Sequence, residues 1–213
     1  MKIERFVCNM LQENCYVVSD ESQECAIIDC GAWYEEERQA IVNYIRENGL
    51  TPTHLLCTHG HCDHNFGIDT IHQAFGLLPE IHQLDNDFME HLADQAVQFI
   101  GFRPDNDYPA VGRFLSDGEE IALGTHRLHV IHTPGHSRGS VCFHIADEHL
   151  LLTGDTLFRQ SIGRTDFEGG SMMQIIQSLR LLAQLPDETV VLTGHGPQTT
   201  MGDELRINPF LDR

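Results

Sequence analysis

Lysine is almost missing from this chain. Its 13 basic residues face 32 acidic ones, the formal charge is −19, and Lys2 is the only lysine. A surface so poor in cations offers no patch for phosphate backbones or anionic headgroups, so neither nucleic acid nor membrane is an expected partner. No apolar run approaches the ~18–20 residues that a membrane-spanning helix requires. Met1-Lys2-Ile3-Glu4-Arg5 leads into no apolar stretch of export-signal length, so the expected location is the cytoplasm. The seven cysteines form no C-x-x-C pair. They read as reduced thiols packed as small apolar side chains. No Ser or Cys nucleophile motif is visible, so covalent catalysis has no evident carrier.

What the chain does have suits one large α/β domain spanning its 213 residues, 41% of them hydrophobic and 21% charged. Short aliphatic runs bounded by Gly, Asp or Thr predict strands at Cys15–Val18, Ala26–Ile28, Leu55–Cys57, Leu128–Ile131, Val141–Ile145, Leu150–Leu152 and Val190–Leu192. Apolar stripes at helical spacing predict helices at Glu35–Asn48 and Met172–Leu185, and a weaker pattern predicts one at Asp85–Ile100. Two prolines among Asp and Asn mark Phe102–Pro109 as a loop. The halves echo each other. Leu55–Cys57 runs into Thr58-His59-Gly60-His61, and Val190–Leu192 into Thr193-Gly194-His195-Gly196. Ala26–Ile28 ends at Asp29, and Leu150–Leu152 ends near Asp155. An internally duplicated pair of sheets with helices outside is the expected architecture.

The sharpest signal is His59-Gly60-His61-Cys62-Asp63-His64. Alternate residues of an extended turn, His59 and His61, can point the same way, while Asp63 and His64 follow a bend and can face a second ion. Imidazoles with one carboxylate suit zinc or iron rather than calcium or magnesium. Gly60 leaves room for the backbone to turn. A His-rich surface loop is the bland alternative. Three later strand ends weigh against it: His136 in Thr133-Pro134-Gly135-His136-Ser137, Asp155 in Thr153-Gly154-Asp155, and His195 in Thr193-Gly194-His195-Gly196-Pro197. Singly each reads as a turn residue or cap; together they complete two metal shells at positions where sites gather.

With these motifs the chain resembles the metallo-β-lactamase superfamily, and within it the glyoxalase II-like hydrolases. The resemblance runs from Asn14-Cys15-Tyr16 and Ile28-Asp29-Cys30-Gly31 to Asn208-Pro209-Phe210. It implies an αββα sandwich with metals at one edge. It also implies that His59, His61 and His136 hold one divalent ion, that Asp63, His64 and His195 hold another, and that Asp155 bridges them. Zinc is the expected metal, with iron or manganese as alternatives. Asp63 and Asp155 are the expected catalytic residues. Gly163-Arg164-Thr165-Asp166-Phe167 also resembles this family and is shared with persulfide dioxygenases. Arg164 is a candidate for meeting an anionic substrate, with a plain ion pair to Asp166 as its alternative. Two departures stand out. Little sequence follows His195, where glyoxalase II enzymes carry a helical domain with basic residues for glutathione. Cys30 stands where the family usually has Pro.

The implied reaction is hydrolysis of a small acyl thioester such as a hydroxyacylglutathione, with hydroxide as nucleophile and a thiolate that leaves without an acid, its pKa being near ~8.5. Thr58, Asp29, Thr156 and Ser137 are candidates for orienting imidazole N–H groups. Cys62 is a bystander. The rival is a mononuclear iron oxidoreductase of the persulfide dioxygenase type. A β-lactamase is disfavoured by Asp155 where such enzymes usually carry Cys, a nucleic-acid enzyme by the charge, and a non-catalytic metal module by a ligand set that leaves room for water.

Overall fold

The computed structural model describes residues 1–211. In chain order its elements are β1 (Lys2–Cys8), β2 (Glu13–Ser19), β3 (Glu24–Ile28), α1 (Glu35–Glu47), β4 (Thr51–Leu56), α2 (Ile68–Phe75), β5 (Pro79–His82), α3 (Asn86–Glu90), α4 (Leu92–Ile100), β6 (Arg113–Leu115), β7 (Glu120–Leu123), β8 (His126–His132), β9 (Val141–Ile145), β10 (Leu150–Gly154), β11 (Leu157–Phe158), β12 (Ser161–Ile162), α5 (Met172–Leu182), β13 (Val190–Thr193), β14 (Thr199–Thr200) and α6 (Met201–Ile207). Two six-stranded sheets result, ordered β1-β2-β3-β4-β5-β6 and β14-β13-β10-β9-β8-β7. In the first, β3, β4, β5 and β6 run parallel. In the second, β10 and β13 are parallel neighbours.

Alternation along the strands explains the layering, because successive side chains point to opposite faces. In β2, Tyr16 and Val18 join Ala26 and Ile28 of β3 in the core between the sheets, where Leu128, Val130, Phe143 and Leu152 meet them. Cys15, Val17, Cys25 and Ile27 point the other way and pack with Ile41 and Ile45 of α1. On the far side, Cys142, Leu151 and Val191 meet Leu179 and Leu182 of α5. Each such buried aliphatic side chain is worth about 1.5–3 kcal/mol relative to exposure. The arrangement is an αββα sandwich, as expected. All seven cysteines are free and buried, so they serve as small core residues.

One predicted helix is broken. The Asp85–Ile100 pattern forms two short helices separated at His91. The Phe88 carbonyl accepts from His91 N (3.2 Å) and from Gln95 Nε2 (2.7 Å), and Gln95 Nε2 also donates to the Gly60 carbonyl at 3.1 Å. The break thus lets a helical side chain hold the histidine turn. The predicted strands form with small extensions, while β1, β5, β6, β7 and α2 carry no clear pattern in the sequence.

The ends of β4, β8, β10 and β13 meet at one edge. Val141 N donates to Thr58 O (2.8 Å), Gly194 N to Gly154 O (2.8 Å), and Asn14 N to Gly194 O (2.8 Å), so backbone hydrogen bonds join the two sheets there.

Candidate metal centre

The turn after β4 is held from several sides before any ligand is considered. Asn65 Nδ2 donates to the carbonyls of His59 (3.1 Å) and His61 (2.7 Å). Asn9 Nδ2 donates to the Asp63 carbonyl at 2.8 Å. Gly60 has no room for a side chain, since a Cβ there would stand 2.7 Å from Phe88 Cβ and 2.9 Å from the Asp85 carbonyl.

The hydrogen-bond network assigns the imidazole tautomers. The Thr58 hydroxyl donates to Asp29 Oδ2 (2.6 Å), so its oxygen accepts from His59 Nδ1 at 3.0 Å. His64 Nδ1 lies 3.0 Å from Asp29 Oδ2, a carboxylate that only accepts. His136 Nδ1 donates to the Arg164 carbonyl (2.8 Å), and His195 Nδ1 to the Leu11 carbonyl (3.1 Å). All four rings therefore carry a proton on the outer nitrogen and turn Nε2 inward. The inward Nε2 atoms of His64 and His195 are 3.2 Å apart, and His136 Nε2 is 2.8 Å from His61 Nδ1. His59 Nε2 is buried with no hydrogen-bond partner among the described residues. Ring nitrogens gathered this closely, one of them without a partner, are held together by a shared cation, either protons or a metal ion.

Two groups of three side chains that could hold a metal ion assemble, His59–His61–His136 and Asp63–His64–His195, each with donor atoms within 4.8 Å of one another. These are the sets expected from the sequence. Asp155 stands between them: Oδ2 is 3.4 Å from His136 Nε2, while Oδ1 is 3.3 Å from His64 Nε2 and 3.7 Å from His195 Nε2. Asp29, His59 and His64 form a third such group. Asp29, however, already accepts from the Thr58 amide (2.7 Å) and hydroxyl and faces the outer nitrogen of His64, so it orients a ligand.

Electrostatics separates the two sets. Burial, with His64 and His61 adding like charge, holds His59 well below its ordinary pKa, and burial with His136 pushes His61 down to about 3. Both are neutral, the form in which imidazole binds metal. Burial would lower His64 as well, but Asp155 and Asp63 hold it well above its ordinary value. Burial opposes ionisation of Asp155, yet His64, His136 and His195 keep its carboxyl well below the usual carboxylate range. In the second set, ionised carboxylates are thus balanced by protons on the imidazoles, which a divalent cation would displace. On donor chemistry and on orphaned lone pairs, the residues fit divalent metal.

Asp85 is the residue that sequence reasoning missed. It is fully buried. Its carboxylate accepts from Gly60 N (3.0 Å), Ser137 Oγ (2.6 Å) and Gly139 N (2.6 Å), tying the His59–His61 turn to the His136 turn. Nothing in its helical surroundings announces this. Two orienting candidates need correction. Ser137 serves Asp85 and not an imidazole, and the Thr156 hydroxyl pairs with Thr133 Oγ1 at 2.9 Å. Thr58 and Asp29 do meet histidines. Arg164 is fixed elsewhere: Nε and a terminal nitrogen donate to Asp166 at 2.8 and 2.7 Å, and the guanidinium lies 3.8 Å from the Phe167 ring centre. Cys62 is buried in the core cluster beneath the first sheet, with burial pushing its thiol up to about 12.

A cavity of about 540 Å³ opens on the cluster, walled by Leu11, Phe99, Phe158, Ile162 and Phe167. Another of about 550 Å³, against Met89, Tyr108 and Phe114, meets none of the ligands.

The profile of the metallo-beta-lactamase superfamily matches residues 8–195, which takes in every ligand named above. The chain belongs to the metallo-beta-lactamase superfamily. Relatives in that superfamily include the probable metallo-hydrolase YqgX of Bacillus subtilis, 36% identical over all of this chain and 98% of its own length. Hydroxyacylglutathione hydrolase GloC of Haemophilus influenzae is 35% identical, with 100% of this chain and 99% of GloC covered. Among solved superfamily members, the BLEG-1 B3 metallo-beta-lactamase superposes with a TM-score of 0.90 at 32% identity, covering 99% of both chains. TTHA1623 in a di-iron-bound form gives 0.86 at 34%, covering 98% of this chain and all of its own.

Proposed function

We propose that this protein is a metal-dependent hydrolase of small acyl thioesters. His59, His61 and His136 would hold one divalent cation, and Asp63, His64 and His195 a second, with Asp155 shared. Zinc is the metal of choice for this donor set, with iron or manganese as alternatives. The observation that carries the reading is the ring of inward lone pairs around Asp155, open on one side to an apolar cavity. When bound, such ions supply Lewis acidity and a water whose pKa drops from about 15.7 to about 7.

The remaining chemistry belongs to the chain. Asp155 lies between the two sets and offsets the mutual repulsion of their cations. Asp63 lines the cavity, and its carboxylate is kept ionised, against burial, by His64 and His195, so it can take up a proton from attacking water. The outer hydrogen bonds from Asp29, Thr58 and the Leu11 and Arg164 carbonyls keep the rings from turning. Attack forms a C–O bond and breaks the acyl C–S bond. The departing thiolate, with a pKa near ~8.5, needs no dedicated acid. GloC is a hydroxyacylglutathione hydrolase by name, which agrees with a thioester substrate.

The test is elemental analysis followed, on the same sample, by turnover of acyl thioesters, a cephalosporin, a phosphodiester, and glutathione persulfide with oxygen uptake. Two ions per chain with thioester turnover is the expected result. One iron with oxygen consumption and no thioester turnover would replace this reading with the dioxygenase one. The likeness to BLEG-1 supplies the reason for the cephalosporin, whose turnover alone would favour β-lactam hydrolysis.

A further inference from the structure

The cavity over the ligands is poor in the groups an anionic substrate needs. Its apolar wall is Leu11, Phe99, Phe158, Ile162 and Phe167, and among the described residues Arg164 is its only lysine or arginine. That arginine is already spent. Asp166 takes it in a two-pronged hydrogen bond at 2.7 and 2.8 Å, and the Phe167 ring lies under its guanidinium at 3.8 Å. To take a second carboxylate in the same two-pronged way, the guanidinium would first have to leave Asp166 and the face of Phe167. Past Phe99 and Phe167 a neighbouring cavity of about 330 Å³ shares those two rings and His61. Among the described residues its wall holds Asp94, already paired with Arg103, Asp87, which lies 3.6 Å from His91, and Glu168. Around both lies a chain of net charge −19.

We propose that the thiol half of the substrate is uncharged: the site takes acyl thioesters of a carrier without carboxylate or phosphate groups, seated against the Phe99–Phe158–Phe167 wall. The proposal rests on the thioester reading and deepens it. A glutathione ester would bring two carboxylates, and a nucleotide thiol several phosphates, into a groove whose guanidinium is occupied and whose extension adds the carboxylate of Glu168. Like charges so placed weaken binding and slow encounter. A neutral carrier loses nothing there and gains the burial of its apolar surface.

The experiment compares kcat/KM of the metal-loaded full chain on one acyl group carried by three thiols: N-acetylcysteamine, glutathione and coenzyme A. The N-acetylcysteamine ester is expected to lead by at least about tenfold at low salt, since like-charge contacts cost more than that factor. The gap is expected to narrow as ionic strength rises and the Debye length shrinks from ~30 Å towards ~8 Å. In Asp166→Asn the released guanidinium should shrink the ratio between the N-acetylcysteamine and glutathione esters, through KM of the glutathione ester. A glutathione ester that equals or beats the neutral one overturns this inference and leaves the thioester reading standing. A ratio indifferent to salt and to Asp166→Asn also overturns it. No turnover of any of the three by a two-metal sample overturns the thioester reading itself, and this inference with it.

Discussion

The two ligand sets share Asp155 but are built on opposite plans. His59, His61 and His136 are all buried, and burial keeps the first two neutral. Asp85 locks their two turns to each other. Around Asp63, His64 and His195 the carboxylates dominate, and the His195 side chain is 25% exposed against 2% for His136. Buried nitrogens, those of His59 and His61 held neutral, make one half of the site; the other half combines buried His64 with the partly open Asp63 and His195. The first set would bind through preorganisation. The second would bind through charge, and would exchange its ion more readily because water reaches it.

That contrast can be broken most severely at the shared residue. Asp155→Asn should lose at least one metal by elemental analysis, and kcat should fall by about 10³-fold, the upper range for removing a group that meets developing charge. Circular dichroism should show the fold intact. Retained stoichiometry with near-normal turnover would mean that Asp155 does not link the sets.

Asp85→Asn attacks only the first plan. An amide can keep part of the acceptor capacity but presents an N–H₂ to the donors of Gly60, Gly139 or Ser137. Affinity of the His59–His61–His136 set should drop by about 10–100-fold, as is usual for outer partners of metal ligands. Leaving one buried donor unpaired should also cost about 1–3 kcal/mol of stability. Competition titration in the cobalt-substituted protein separates the two losses, because the spectrum of the Asp63–His64–His195 set should hardly move.

A milder experiment sharpens the comparison without mutation. Graded dialysis against a chelator should strip one ion well before the other, and the survivor should keep the spectral signature of three nitrogen ligands. Loss of both ions in one step would erase the distinction between the sets. Smallest of all is Cys62→Ala. Its thiol is buried among core residues and faces no ligand, so turnover should stay within about twofold and stability should fall by about 1 kcal/mol, the ordinary cost of a small core truncation.

Much of the site was legible because its ligands come in short turns directly after strands. His59, His61, Asp63 and His64 sit within one such turn, and His136, Asp155 and His195 each follow another. What surrounds the ligands was not legible. The Leu11 and Arg164 carbonyls that fix His195 and His136 are backbone groups, which every residue carries. Asp85 and Gln95 lie in a stretch whose apolar periodicity reads as one helix, and only the break at His91 gives their side chains a role. Ser137 and Thr156 were placed near imidazoles by proximity in sequence, but their hydroxyls found nearer partners in Asp85 and Thr133. For Arg164 the sequence offers an anion receptor or an ion pair to Asp166, and the fold sets it against Asp166 and Phe167.

By itself, then, the order of residues determined the donor types, their grouping at strand ends and the alternation that builds two sheets, because these depend on contacts a few residues long. Tertiary structure decided which ring nitrogens face inward, which carboxylate clamps the turns and which stands between the two groups, and that Arg164 in the cavity wall is paired. Those properties arise from groups far apart in the chain, such as Leu11 and His195 or Asp85 and Gly139, that only the packed sheets bring within hydrogen-bond reach.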